Sequence, residues 1–140
     1  MAEGLLRKYA QLNGIDFMID SAGTSRWHQG EPPDPRAIAC MKKFGLDISD
    51  LRARQIEESD FHNFDKILAM DNENLRNLLS LQKNIGTSYC QITLFSSLGQ
   101  LQITDIPDPY YGDLTDFEHV YHLLNEGAEK IIHVIKNGRW

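Results

Sequence analysis

"KILAMDNENLRNLL", residues 66–79, decides the fold. Residues 66–70 form a short apolar run that reads as a strand. Asp71 follows at once, and Leu75, Leu78 and Leu79 recur at helical spacing behind it. Asp71 therefore reads most plainly as an N-cap, its carboxylate accepting from the unpaired N–H groups of a helix's first turn, with a catalytic role as the alternative. A strand that turns directly into a capped helix is half of a crossover unit, and the flanking sequence repeats the pattern.

Toward the N-terminus, "ARQIEESDF" (53–61) predicts a loop and a short helical turn. "DPRAIACMKKFG" (34–45) predicts a helix with Asp34 as N-cap, Pro35 at its first position and Gly45 just past its end. Ala37, Cys40, Met41 and Phe44 make its apolar face, so Cys40 reads as core. "TSRWHQGEPP" (24–33) is loop by its Gly and Pro content, and "FMIDSAG" (17–23) reads as a strand breaking into that loop. Leu5, Leu6, Tyr9 and Leu12 open the chain on a helix that Gly14 stops. Toward the C-terminus, "QITLF" (91–95) is a third strand. Phe117, Val120, Tyr121, Leu124, Ala128, Ile131 and Ile135 keep a helical period up to Gly138. Helices alternating with strands predict an α/β fold: a parallel sheet covered on both faces by right-handed crossovers.

The 140 residues suit one domain, 1–140, with one good core. Fourteen Lys and Arg against 20 Asp and Glu give a net charge of −6, and no block of like charge forms a track for phosphate backbones, so nucleic acid is not expected as a partner. No stretch has the length or apolarity of a signal peptide or membrane span, which predicts a soluble, cytoplasmic protein without a membrane partner. Cys40 and Cys90 lack C-x-x-C spacing and read as buried reduced thiols.

In a parallel α/β sheet, ligands gather where the strands end. The loops leaving the three strands hold Asp20 and Ser21, then Asp71, then Asp105 and Asp108. Asp108 lies in "DIPDPYYGD" (105–113), where Pro107 and Pro109 stiffen the backbone. It reads either as a turn former or as an acid aimed into a slot walled by Tyr110 and Tyr111. Trp27 is either a lid over the core or another aromatic wall. His28, alone beside it, reads as incidental, with contact to a ligand as the alternative. Glu118, His119, His122 and Glu126 have metal-ligand spacing on the last helix, but they lie opposite its apolar stripe and read as a solvated face; no metal and no cofactor is expected.

"DSAGTSRWHQGEPPDPRA" (20–37), "ARQI" (53–56), "DFHNFDKILAMDNENL" (60–75), and "DPYYGD" (108–113) followed by "FEHVY" (117–121), in this order and spacing, resemble the low-molecular-weight protein tyrosine phosphatases. The resemblance implies a flavodoxin-like fold with a four-stranded parallel sheet. It also implies metal-free hydrolysis of a phosphotyrosine protein or a small aryl phosphate through a cysteinyl-phosphate. Asp108 would then protonate the leaving phenolate. Trp27, Tyr110 and Tyr111 would flank the substrate ring, with Ser21 steadying the phosphate loop and Asp71 supporting the site.

The family's Cys-x5-Arg phosphate loop is not among these residues: six positions beyond Cys40 lies Leu46, and six beyond Cys90 lies Ser96. "MAEGLL" resembles the helix that directly follows that motif. The nucleophile, the phosphate-binding arginine and the family's first strand are therefore expected to be absent, and these 140 residues inactive. With that strand missing from the sheet interior, the exposed edges are expected to favour oligomerisation. A non-catalytic interaction module and, further off, an arsenate reductase are the alternatives.

Overall fold

The computed structural model describes residues 1–25 and 27–138. Among the described residues six helices and two paired strands follow one another: α1 Ala2–Leu12, α2 Pro35–Lys43, α3 Asp60–Asn63, β1 Lys66–Ala69, α4 Asn72–Ile85, β2 Gln91–Leu94, α5 Phe95–Leu98 and α6 Leu114–Lys136. β1 and β2 run parallel, with Ile67 opposite Ile92 and Ala69 opposite Leu94, and α4 is the crossover between them. The caps stand where the sequence predicts them. Asp34 accepts from the Arg36 N–H at the start of α2, and Asp71 from the Asn74 N–H at the start of α4. Asp113 and Asp116 form a reciprocal capping box on α6.

The alternation of side chains along β1 divides the apolar residues into two clusters. Leu68 and Met70 face the larger one, where Leu5, Met41, Phe95, Val120, Leu124 and Ile131 from α1, α2, α5 and α6 meet. Ile67 and Ala69 face the smaller one, with Phe61 of α3 and Leu75 and Leu78 of α4. Helices thus cover both faces of a parallel sheet. α6 crosses α5 closely enough that a Cβ on Gly127 would strike the Phe95 ring, so glycine is required there for close approach.

Of the three predicted strands, "FMIDSAG" forms no ladder. Its burial does alternate, with Ile15, Phe17 and Ile19 half-buried and Asp16, Met18 and Asp20 exposed. Among the described residues its only pairing is one parallel bridge, Gly23 to Gln55. The sequence pattern reports which side of the segment meets the core, but a strand also needs a neighbour within hydrogen-bonding distance. Side chains fasten the segment instead: Arg7 Nη2 donates to the Ile19 carbonyl (2.7 Å) and Ser21 Oγ to Glu3 Oε1 (2.6 Å). Leu12, predicted on the buried face of α1, is 70% exposed at its end.

Candidate active site

The carboxyl end of β1 is where the acids gather. The Met70 carbonyl accepts from the Ile106 N–H (2.9 Å), which hooks the 105–113 loop to the strand end. Asp105 Oδ1 accepts from the Asn72 N–H (2.9 Å) while Asp71 caps the Asn74 N–H (2.7 Å). Both carboxylates therefore satisfy orphan donors of α4's first turn. Asp108 serves no helix. Among the described residues its Oδ1 accepts only from the Tyr110 N–H (3.0 Å), in the turn that sequence chemistry predicts, and its side chain stands at the surface.

Tyr110 and Tyr111 meet edge to face with centroids 4.9 Å apart, 51% and 97% exposed. The loop therefore presents free aromatic surface beside a carboxyl group. The Gly112 N–H closes a turn on the Pro109 carbonyl (2.8 Å), and a side chain on Gly112 would run into the Asp116 carboxylate of the capping box. Trp27 is 86% exposed, which removes the reading of it as a lid over the core. Among the described residues its ring stacks on neither tyrosine. His28 pairs with Glu31 (2.9 Å).

Ser21 and Asp20 lie in the segment at residues 17–23. The Ser21 hydroxyl is donated to Glu3, a carboxylate only 5% exposed whose second oxygen takes Arg7 Nη2 (2.7 Å). Asp20 Oδ2 accepts from Arg54 Nε (3.1 Å). Arg54 also grips both oxygens of buried Asp60 (2.9 Å each). Burial pushes the Asp60 carboxyl up, but the Arg54 bonds and the Glu57 N–H outweigh it and hold the group below its ordinary value.

Sequence reasoning missed a second arginine. Arg36 Nε and Nη2 hold Asp34 (3.1 and 2.8 Å), Nη2 also donates to the Tyr110 carbonyl (2.8 Å), and Nη1 donates to the Gly112 carbonyl (2.8 Å). Its guanidinium lies over the Phe117 ring at 4.7 Å. The Asp34 carboxyl is held below its usual value, chiefly by the Arg36 side-chain bond. The one signal in the sequence was an arginine two residues after an N-cap.

Both cysteines are buried, and burial pushes both thiols above their ordinary value, with Glu118 adding to it at Cys40 and Asp65 at Cys90. A nucleophilic cysteine needs the opposite environment, one that stabilises thiolate. The helix face read as solvated is partly a packing surface: Glu118 pairs with Lys43 of α2, and the His122 ring meets Phe44 and Tyr121 edge-on. A hollow of about 300 Å³ between Ile56, Phe61, Leu81 and Ile85 contains none of the acids at the β1 end.

The protein is of the α/β class, with a parallel sheet whose carboxyl end, the usual place for a ligand, carries acids and exposed aromatics. A family model described as low molecular weight phosphotyrosine protein phosphatase matches residues 1–139. The low molecular weight phosphotyrosine protein phosphatase of Homo sapiens is 42% identical over 123 residues, 86% of this chain and 77% of that protein. The low molecular weight protein-tyrosine-phosphatase of Bacillus subtilis is 35% identical over 134 residues, 94% and 84% of the two. The crystal structure of a protein tyrosine phosphatase from Entamoeba histolytica with Hepes in the active site matches with a TM-score of 0.89 at 31% identity, over 99% of this chain and 89% of that one. The chain belongs to the low molecular weight phosphotyrosine protein phosphatase family. Among the described residues no helix is long and apolar enough to cross a membrane.

Proposed function

We propose that residues 1–140 are one domain of a cytoplasmic protein tyrosine phosphatase that hydrolyses phosphotyrosine in proteins and small aryl phosphates. The observation that carries this reading is the 108–112 loop: a surface carboxyl group held by the Tyr110 N–H beside two exposed tyrosine rings. In the form that carries a Cys-x5-Arg loop, a thiolate attacks phosphorus, the bond to the aryl oxygen breaks, and the Asp108 proton passes to the departing phenolate. Water then attacks the cysteinyl-phosphate, giving up its proton to Asp108 and releasing phosphate and thiolate. Tyr110, Tyr111 and Trp27 flank the ring. Asp71 supports the site by fixing the start of α4, and Ser21 by joining the segment at residues 17–23 to α1 through Glu3.

These 140 residues contain no Cys-x5-Arg loop, and their two thiols are buried and held protonated, so by themselves they have no cysteine-dependent turnover. The same two observations favour a second reading, an interaction module that keeps the aromatic slot without chemistry. Para-nitrophenyl phosphate hydrolysis separates the readings. Joining a strand and a Cys-x5-Arg loop ahead of residue 1 produces turnover under the first and none under the second. Turnover by residues 1–140 that vanishes in Cys40→Ser or Cys90→Ser would contradict both.

A further inference from the structure

Two carbonyls, Tyr110 and Gly112, point at one guanidinium from a loop 74 and 76 positions away in sequence. A guanidinium can reach several acceptors at once only when its plane is fixed, because its donors form a rigid fork. Here three constraints fix it. Asp34 binds it along one edge, Phe117 lies beneath it, and Asp34 is itself set by capping α2 through the Arg36 N–H (2.8 Å). The remaining donors then project at the loop.

The loop's other supports leave a gap that Arg36 fills. The Ile106 N–H fixes one end at β1, and the Asp113–Asp116 box fixes the other at α6. Between them lie two exposed tyrosines, whose rings meet each other, and the Pro109–Gly112 turn. Tyr110 is held on both sides, its N–H by Asp108 and its carbonyl by Arg36. The two groups lie in successive peptide planes hinged at the Tyr110 Cα, so holding the carbonyl limits the rotation about that hinge that would swing the N–H away from the Asp108 carboxyl group.

We infer that Arg36 is a positioning residue for proton donation: by holding the Tyr110 and Gly112 carbonyls it fixes the loop geometry that aims Asp108 at the leaving group. The inference rests on the proposed role of Asp108 as proton donor. Arg36 touches neither substrate nor the transferred proton. Its loss affects departure of the phenolate and leaves anion binding alone.

Arg36→Lys tests it, because a single ammonium keeps the charge and cannot serve Asp34 and two carbonyls in one plane. In residues 1–140, backbone order parameters at Tyr110, Tyr111 and Gly112, rigid at about 0.85, are expected to fall below about 0.6 while α6 keeps its own. In the form carrying the Cys-x5-Arg loop, phenyl phosphate turnover is expected to fall about 10²-fold with KM unchanged, the scale of a small misplacement of a catalytic group. Para-nitrophenyl phosphate should lose far less, and Arg36→Lys added to Asp108→Asn should lose nothing further. Asp34→Asn, which keeps a capping oxygen and weakens the grip on the guanidinium, should give the same pattern at smaller size and serves if Arg36→Lys does not fold. Unchanged order parameters overturn the inference. So does a loss that persists undiminished in the Asp108→Asn background while Asp108→Asn alone shows leaving-group dependence, an outcome that leaves the proposed function standing. An Asp108→Asn variant without leaving-group dependence removes the donor itself, and the inference falls with it.

Discussion

Arg36 and Arg54 each grip one aspartate with two nitrogens and differ in what their other donors hold. Arg54 sits on buried Asp60 and turns its Nε to a second carboxylate, Asp20, so it ties scaffold to scaffold. Arg36 sits on the more exposed Asp34 and turns its other donors to two backbone carbonyls of a surface loop. The carboxylate fixes the plane of the guanidinium in both cases. The remaining acceptors decide whether the residue holds the fold together or holds a working loop in place. Damage on the Arg36 side should therefore appear in catalysis, and damage on the Arg54 side in stability.

The largest effect is expected on the loop side. In the form that carries the Cys-x5-Arg loop, Asp108→Asn should lower turnover of phenyl phosphate by roughly 10²–10⁴-fold, the usual range for general acid catalysis. The factor should shrink as the leaving phenolate becomes more stable, and the urea midpoint should stay where it is, since Asp108 is exposed and, among the described residues, bonds only within its own turn. Steady-state rates over a series of substituted aryl phosphates measure this. An equal loss across the series would return Asp108 to a turn former.

On the scaffold side, Arg54→Met should cost stability and leave the loop alone. It strands the Asp60 carboxylate, whose side chain is 7% exposed. Removing one partner of a buried pair costs about 3 kcal/mol, at the low end of the range because the Arg54 side chain itself is 28% exposed. Urea unfolding should show the drop while the Tyr110 and Gly112 amides keep their positions in an NMR spectrum. A smaller effect is expected at Ser21→Ala, which removes the 2.6 Å bond to Glu3 and leaves Arg7 as that carboxylate's partner. A hydrogen bond to a charged group is worth about 1.5 kcal/mol, and the same urea experiment reads it. No change on Ser21→Ala would mean that Arg7, Arg54 and apolar contacts suffice to hold the segment at residues 15–22.

The two clasps also show what a sequence discloses. The helices were legible because their signals are local: Asp34 with Pro35, Asp71 with the leucines behind it, and the long apolar period of α6 all lie within a turn or two. The acids at the strand ends followed from topology. The segment at residues 17–23 misled because alternation records burial and is silent on whether a ladder neighbour exists. Arg36 and Arg54 were illegible because their partners come from elsewhere: Gly112 for one, and Asp20, 34 positions away, for the other. Nothing in "DPRA" or "ARQI" says which carbonyl or carboxylate will arrive.

The smallest expected effect separates the two clasps by pH. Asp34 and Asp60 both hold carboxyl groups below their ordinary value, so the unfolded chain takes up their protons before the native one does. Their contribution is complete above the unfolded value of about 3.9 and is lost as pH falls below it toward the native values. Urea midpoints of the unmodified chain should therefore hold down to about pH 5 and drop below about 4. Arg54→Met reverses the sign at one site. Burial, no longer opposed by the guanidinium, raises Asp60, and a raised group stabilises below its unfolded value and loses that stability as pH rises through the native one. The gap between Arg54→Met and the unmodified chain should accordingly be widest near neutrality and narrow on acidification. Asp34→Asn removes a titrating group at a site where the carboxylate is more exposed, so it should only shallow the acid slope. A gap that stays constant as pH falls would show that Asp60 keeps its depressed value without Arg54, and that the Glu57 N–H holds the carboxylate on its own.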